Sequence, residues 1–177
     1  MLMNKIKPYP QSPMHGFTLI ELIIVITIIA ILAAVALPRL IDTQRDARMA
    51  KANAFYGAIR TTAALARSRC ELDLAAAITS LPAANCQANP PKVNMDGHAI
   101  EILNRFPAAT AAGIDAAADL DLSAASLTVG GVNCPENARC FDIAGGTAPD
   151  CRVTYAPATL NGTLITSPEI TVTTTGC

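Results

Sequence analysis

One carboxylate lies inside a long apolar stretch near the start of the chain. The stretch runs from Phe17 to Leu37, and its single charged residue is Glu21. These residues would make a helix about 31 Å long, which matches the hydrocarbon thickness of a bilayer. An ionised Glu at the centre of a membrane helix costs roughly 2.5 kcal/mol or more, and less toward the interface. Glu21 therefore needs either a partner or a favourable position in the helix.

Two explanations account for Glu21. If the chain is cut between Gly16 and Phe17, the new ammonium group of Phe17 neutralises the carboxylate of the same copy or of a neighbouring copy. A neighbour's carboxylate would drive assembly. Alternatively, the carboxylate simply favours the positive end of the helix dipole.

The junction before the apolar stretch distinguishes these explanations. Residues 16–21 read GFTLIE and are followed by a long apolar run and Pro38, a pattern that resembles the leader junction of type IV prepilins and type II secretion pseudopilins. In that family a dedicated peptidase cuts after the glycine and N-methylates the next residue. The resemblance implies cleavage after Gly16, methylation of Phe17, and a role for Glu21 and the Phe17 amine in setting each subunit's register in a filament.

The resemblance also divides the chain into four parts. We expect a cleaved leader at 1–16, a transmembrane and assembly helix at 17–37, an amphipathic continuation of the helix at 38–69, and a globular head at 70–177. A cleaved secretory signal would need a shorter apolar core of roughly 7 to 15 residues. A plain signal anchor fits equally well by length, so only the pattern of Gly16, Phe17 and Glu21 separates it from a prepilin.

The cysteines indicate where the head lies. All six follow the apolar stretch, at Cys70, Cys86, Cys134, Cys140, Cys151 and Cys177. An even number on one side of a membrane segment is typical of disulfides in an oxidising compartment. The positive-inside rule argues the opposite, since the leader has two lysines and the far flank has four basic residues. We give the cysteines priority and predict a single-pass inner-membrane protein with its head in the periplasm before assembly.

A zinc site is the competing use of these cysteines. The sequence contains no Cys-x-x-Cys pair, and His98 is the only histidine after the apolar stretch. Zinc sites need clustered Cys and His ligands, so no metal is expected. No cofactor is expected either.

The helix is predicted to continue beyond the membrane segment, to about Arg69. Its less polar residues recur at spacings of three and four, which places them on one stripe that must pack against the head. The stripe comprises Met49, Ala52, Tyr56, Ile59, Ala63 and Ala66. Pro38 cannot donate the helical hydrogen bond, so a kink or local melting is predicted near residues 34–38.

The head is predicted to be a small α+β unit. Residues 92–104 contain two apolar-rich runs joined by Asp96-Gly97, the dipeptide that favours a two-residue hairpin turn. Pro107 can open a helix, and the alanine-rich residues 108–122 predict one. Asp115 and Asp119 on that helix are expected to be solvated rather than to hold calcium.

The last third of the head is predicted to contain two antiparallel strands, at 151–156 and 169–175. If Tyr155 lies opposite Thr173, Cys151 falls opposite Cys177, and we assign that disulfide first. A short loop closed by Cys134 and Cys140 and a bridge from Cys70 to Cys86 complete one hypothesis among the fifteen possible pairings.

Charge is distributed unevenly along the chain. Residues 38–69 contain seven basic and two acidic side chains, whereas residues 70–177 contain four basic and eleven acidic ones. This asymmetry would orient basic helices toward acidic heads of neighbouring subunits, or it reflects ordinary solvated faces. Nucleic-acid binding is not expected, because the head is acidic and aromatic side chains that could stack on bases are scarce.

Two segments of the head suggest a narrower resemblance. RFPAATAAGIDAAADLDL at 105–122, and CRVTYAPA at 151–158 with the closing TTTGC, are similar to parts of the mannose-sensitive haemagglutinin type pilins. These are type IV pilins of Gram-negative bacteria. The implied fold is α+β, with a long N-terminal helix packed on a small antiparallel sheet that carries disulfides.

The sequence indicates a structural protein rather than an enzyme. It contains no Gly-x-Ser-x-Gly, no phosphate-binding glycine loop and one usable histidine, so no acid-base or nucleophilic constellation is apparent. The interpretation is a type IV pilus subunit that polymerises with copies of itself after contact with the prepilin peptidase, membrane lipid and the inner-membrane assembly machinery. The fibre would serve adhesion or motility. A type II secretion pseudopilin and a minor pilin or adhesin remain alternatives, and a conductive fibre is a remote one.

Overall fold

The computed structural model describes residues 17–75, 86–120 and 127–177. The chain divides into two compact units, Met1–Asp42 and Thr43–Cys177. One long helix, α1, spans Leu19–Ala75 and includes the whole described apolar stretch from Leu19 onward. The predicted leader at 1–16, with Gly16 at its end, lies outside the described residues.

The part of α1 in the second unit packs through one stripe of side chains. Ala52, Ile59, Ala63, Ala66 and Cys70 are at most 2% exposed. Their spacings of three, four and seven place them on one face of a 3.6-residue helix. Met49 and Tyr56 of the predicted stripe are half-buried and pack against the same core. The predicted amphipathic stripe is therefore confirmed.

The predicted hairpin is also confirmed. Strands β1 (Lys92–Met95) and β2 (His98–Leu103) pair antiparallel, with Met95 opposite His98. The two turn residues, Asp96 and Gly97, have φ of 48° and 85°. Asp and Gly tolerate this left-handed backbone at both turn positions, and a two-residue hairpin loop of this type requires it. A short strand, β3 (Phe106–Pro107), extends the sheet beyond β2.

The helix predicted to begin at Pro107 is wrong in its start and its length. Pro107 lies in β3 opposite Ile102, and the N–H of Ala108 donates to the carbonyl of Glu101 at 2.9 Å. Because β2 already pairs with this backbone, helical structure starts only at the π-helical turn Ala111–Asp115. In the described residues it continues no further than Ala117.

The main sheet contains four antiparallel strands in the order β4-β5-β6-β9. They are β4 (Leu127–Val129), β5 (Arg139–Ile143), β6 (Arg152–Ala156) and β9 (Glu169–Thr173). Between β6 and β9 the chain forms a separate hairpin of β7 (Thr159–Asn161) and β8 (Leu164–Thr166). The predicted antiparallel pairing of the two last major strands is confirmed.

The predicted register of that pairing is wrong. Tyr155 lies opposite Ile170, not Thr173, and Thr173 lies opposite Arg152. Cys177 nevertheless reaches Cys151, because the chain leaves the strand after Thr173 and turns. In this C-terminal turn the N–H of Gly176 donates to the carbonyl of Asp150 at 2.9 Å.

Three disulfides cross-link the second unit. Cys70–Cys86 ties α1 to the segment before β1, with its Cα atoms 5.1 Å apart. Cys134–Cys140, the short-loop disulfide, closes the turn before β5, and Cys151–Cys177, the C-terminal disulfide, joins the start of β6 to the C-terminal turn. These are the three pairs suggested from the sequence.

Two apolar clusters hold α1 against the strands. The larger contains Ile59 of α1 together with Phe141, Val153 and Tyr155 of the main sheet. The smaller surrounds Cys70 and includes Val93, Ile100 and Ile102 of the first sheet. A helix packed on antiparallel sheets, with disulfides, confirms the predicted α+β class.

Candidate functional site

The start of α1 has a defined hydrogen-bonded cap. The backbone N–H of Glu21 donates to the Thr18 hydroxyl oxygen at 3.3 Å, and the N–H of Leu22 donates to the Thr18 carbonyl at 3.3 Å. Thr18 is therefore the N-cap residue, and Glu21 is the third helical residue. Thr followed three residues later by Glu is the sequence of a capping box. This cap satisfies an amide that would otherwise lack a partner at the helix end.

Glu21 consequently has a structural position as well as the role predicted for it in assembly. Its carboxylate lies in the first turn of α1, where the positive end of the helix dipole stabilises negative charge. Phe17 precedes the cap and is 84% exposed. Phe17 and Glu21 thus flank the cap at one end of the apolar helix, while the chemistry predicted for them depends on processing and on other copies of the chain.

The apolar part of α1 is exposed along its whole length in the isolated chain. Its large side chains between Phe17 and Leu37 are 45–84% exposed, and the segment is long and apolar enough to cross a membrane. The hydroxyl of Thr27 donates to the carbonyl of Ile24 at 2.8 Å, so this polar group is satisfied within the helix. A continuous apolar surface of this size marks a membrane or protein interaction surface.

Pro38 lies within α1. The kink predicted at this position stays a prediction, as do the boundaries at residues 37 and 69 that were drawn from the sequence.

In the second unit, sequence reasoning missed two ion pairs, one buried and one partly buried. The guanidinium of Arg152 is paired in parallel with the carboxylate of Asp142, with Nη2 to Oδ2 at 3.0 Å. Asp115 accepts from Arg139, with Nε 3.1 Å from either carboxylate oxygen. The expectation that Asp115 is solvated is wrong: it is 5% exposed, and its carboxylate pairs with Arg139 of β5.

A glycine accommodates one of these pairs. Gly131 has φ of +91°, and a Cβ there would lie 2.3 Å from Oδ2 of Asp142 and 2.9 Å from Nη2 of Arg152. Any larger residue would have to displace the ion pair. Gly131, between β4 and β5, therefore packs directly against the ion pair that joins β5 to β6.

Tyr155 links the two sheets. Its side chain is fully buried, and its hydroxyl donates to the carbonyl of Pro107 at 2.6 Å. Burial raises the pKa of the Tyr155 phenol far above its ordinary value. Burial thus favours the neutral phenol, the form that donates to the Pro107 carbonyl.

Within residues 17–75, 86–120 and 127–177, no group of three or more His, Cys, Asp or Glu side chains is arranged to hold a metal ion. All six cysteines are in disulfides. The fold and the N-terminal segment together define a class of protein in which a helix of membrane-spanning length and composition continues into a disulfide-linked α+β unit.

Comparison with known proteins narrows that class. The family described as the prokaryotic N-terminal methylation motif matches residues 12–37. The type IV narrow pilus major component PilA5 of Thermus thermophilus is 51% identical to the chain over 51 residues. That match spans 29% of this chain and 44% of the relative, so the chain covers less than half of the relative's length. No solved structure matches.

The N-terminal segment of this chain is that of a type IV prepilin. The structure of the second unit is consistent with the α+β fold of type IV pilins. The narrower resemblance of the head to the mannose-sensitive haemagglutinin type pilins stays a prediction.

Proposed function

We propose that the chain is a structural subunit of a type IV pilus. It is cut after Gly16, N-methylated on Phe17, and polymerised through α1 into a fibre used for attachment or motility. The observation that carries this proposal is the exposed apolar segment of α1, which begins at a capped turn that contains Glu21 and matches the methylation motif. It needs lipid or other copies of the chain to cover it.

The second half of α1 supports assembly through helices. On the face away from the core, small and apolar residues recur at alternating spacings of four and three, and all are exposed: Ala54, Ala58, Thr61, Leu65, Ser68 and Leu72. Leu65 and Leu72 are both 61% exposed. Such a seam allows close approach of another helix, because small side chains bring backbones together. Copies of α1 would thus contact one another beyond the membrane segment.

The proposed function implies a sequence of events for the subunit. The precursor inserts in the inner membrane with its disulfide-linked unit in the periplasm, where an oxidising environment forms the bridges. The prepilin peptidase then processes it, and the inner-membrane assembly machinery transfers it from lipid into an extracellular fibre. The protein acts as a building block, without enzymatic activity.

Two variants separate the charge of Glu21 from its cap. Glu21→Gln keeps the size of the side chain and removes its charge, whereas Thr18→Val removes the hydroxyl cap and keeps the charge. We expect both variants to be cleaved at Phe17, and Glu21→Gln to yield far fewer sheared fibres than Thr18→Val. Normal fibre yield from Glu21→Gln would leave only the helix-dipole explanation for this carboxylate.

Processing and subunit type need a separate measurement. Mass spectrometry of fibres sheared from native cells should identify this chain as the dominant protein, beginning at N-methylated Phe17. Detection of the processed chain only in membranes would instead favour a pseudopilin or a minor subunit. Gly16→Ala should abolish maturation, and continued cleavage at Phe17 would contradict the assigned processing site.

A further inference from the structure

A cleft of about 760 Å³ lies within the second unit, between α1 and the start of β9. One wall is a stripe of α1 that includes Tyr56, Arg60 and Arg67, and the opposite wall contains Phe106 and Glu169. Ala63 and Ala64 also line it, and their small side chains leave room along the helix. Ligand sites typically have volumes of about 300 to 1,000 Å³, so this cleft, the α1–β9 groove, is large enough for a short oligomer.

Two guanidinium groups in the α1–β9 groove have at most a weak ion pair within the described residues. Arg60 is exposed and takes part in no ion pair of the described residues. Arg67 is 3.9 Å from Glu71, but that carboxylate has a closer partner in Arg105, at 2.9 Å. Arg60 and Arg67 are seven residues apart, or about 10 Å along the helix axis. The groove therefore presents two forked donors, spaced for two anionic groups of one ligand.

The remaining lining adds aromatic rings, a hydroxyl group and one carboxylate. The guanidinium of Arg67 lies 5.1 Å from the centre of the Phe106 ring, which orients its fork. Tyr56 provides a second aromatic side chain, while the Ser167 hydroxyl and the Glu169 carboxylate can bond to ligand hydroxyls. Arginine forks bind carboxylates with two parallel hydrogen bonds. Aromatic faces pack against the C–H faces of sugar rings.

We propose that the α1–β9 groove binds an acidic saccharide, a short chain of uronate-type sugars whose carboxylates pair with Arg60 and Arg67. A saccharide suits the arginine, aromatic and oxygen-bearing side chains of the lining together, because it offers carboxylates to the arginines, apolar ring faces to the aromatic residues, and hydroxyls to Ser167 and Glu169. The inference goes beyond the proposed function and does not depend on fibre assembly.

Calorimetric titration of the full-length chain in detergent micelles with trigalacturonate tests the site. We expect saturable binding with one saccharide per chain, and strongly reduced affinity for the methyl ester of the same trisaccharide, which has the sugar rings but no charge. Arg60→Gln and Arg67→Gln should each weaken binding by about tenfold or more, the effect expected from losing charge-assisted hydrogen bonds. Arg45→Gln is the matched control, since this exposed arginine of α1 lies outside the groove.

Several results would overturn the proposal. These are an absence of saturable binding, equal affinity for the methyl ester, or the same loss in Arg45→Gln as in Arg60→Gln. Equally tight binding of triglutamate would assign the groove to acidic peptides instead. Thermal unfolding of each variant checks that the fold is retained, and Arg67→Lys adds a test that keeps the charge. This variant should also weaken binding, because lysine lacks the planar fork.

Discussion

Neutralising Asp142, one partner of the buried Asp142–Arg152 ion pair, should strongly lower the free energy of unfolding of the second unit. Both side chains are at most 10% exposed, and Arg152 forms two parallel hydrogen bonds to the carboxylate. Asp142→Asn keeps the volume of the side chain but leaves the guanidinium as an uncompensated buried charge. Removing one partner of a buried pair costs about 3 to 5 kcal/mol. For a unit of this size, this corresponds to a fall in unfolding temperature of about 10 °C or more.

An exposed pair in the same unit provides the control. Glu71 accepts from Nη1 of Arg105 at 2.9 and 3.1 Å, but the two side chains are 40% and 46% exposed. Solvent screens this pair, so Glu71→Gln should cost about 1 kcal/mol or less. Each pair contains two hydrogen bonds, but the pairs differ in burial and in the number of guanidinium nitrogens that donate, two in Arg152 and one in Arg105.

The measurement is unfolding of the full chain in detergent by heat and by denaturant. Near-ultraviolet circular dichroism is the signal, because the chain has no tryptophan and Tyr155 is buried in the core of the unit. If Asp142→Asn costs no more than Glu71→Gln, the reasoning from burial is refuted. Replacing both members of the buried pair by apolar residues of similar volume should recover much of the loss.

Further variants test Gly131, Tyr155 and two of the disulfides by the same unfolding measurement. Gly131→Ala should destabilise it by about 2 kcal/mol or more, since φ is +91° and the new Cβ would lie 2.3 Å from Asp142 Oδ2; unchanged stability would contradict this packing. Tyr155→Phe should cost about 1 to 2 kcal/mol through the lost hydrogen bond to Pro107. Because burial raises the pKa of the Tyr155 phenol, the unfolded chain releases this proton first, so the wild-type protein should lose stability as the pH rises above about 10. Tyr155→Phe should lack that part of the loss, and identical alkaline profiles would contradict the assignment. Replacing both cysteines of the short-loop disulfide by serine should cost about 2 kcal/mol, against about 3.5 kcal/mol for the C-terminal disulfide, because the longer loop restricts the unfolded chain more. Equal costs would argue against the chain-entropy explanation.

Features with a local signal were predictable from the sequence. The hairpin around Asp96-Gly97 was predictable because two adjacent residues that tolerate positive φ determine the turn. The buried stripe of α1 followed from its spacing alone. Pro107 misled the prediction, since a proline that suits a helix start also fits a short edge strand.

The register of β6 and β9 could not be read from the threonine-rich C-terminal segment alone. Register is set by which side chains face the core, and here Ile170 and Val172 pair with Tyr155 and Val153. Threonine is compatible with either face of the sheet, so the threonines after Val172 did not determine the register of β9 against β6. The Cys151–Cys177 disulfide was predicted correctly although the register was wrong. The C-terminal turn brings Cys177 back toward Cys151.

The buried ion pairs depend on tertiary structure. Asp115 and Arg139 are 24 residues apart, and nothing local connects them. Asp142 and Arg152 are directly opposite in neighbouring strands, so a prediction of β5 would have placed these opposite charges side by side. The alternation around β5 is obscured because four of its five residues are buried.

The C-terminal disulfide has a mechanical consequence. The β7–β8 hairpin and β9 lie entirely between Cys151 and Cys177, inside one covalent loop. When tension reaches the second unit through α1, the chain can be drawn out only along segments outside such loops. Residues 151–177 therefore add almost nothing to the length of the extended chain. The disulfide keeps β9 close to β6, so the two strands can pair again when the load is released.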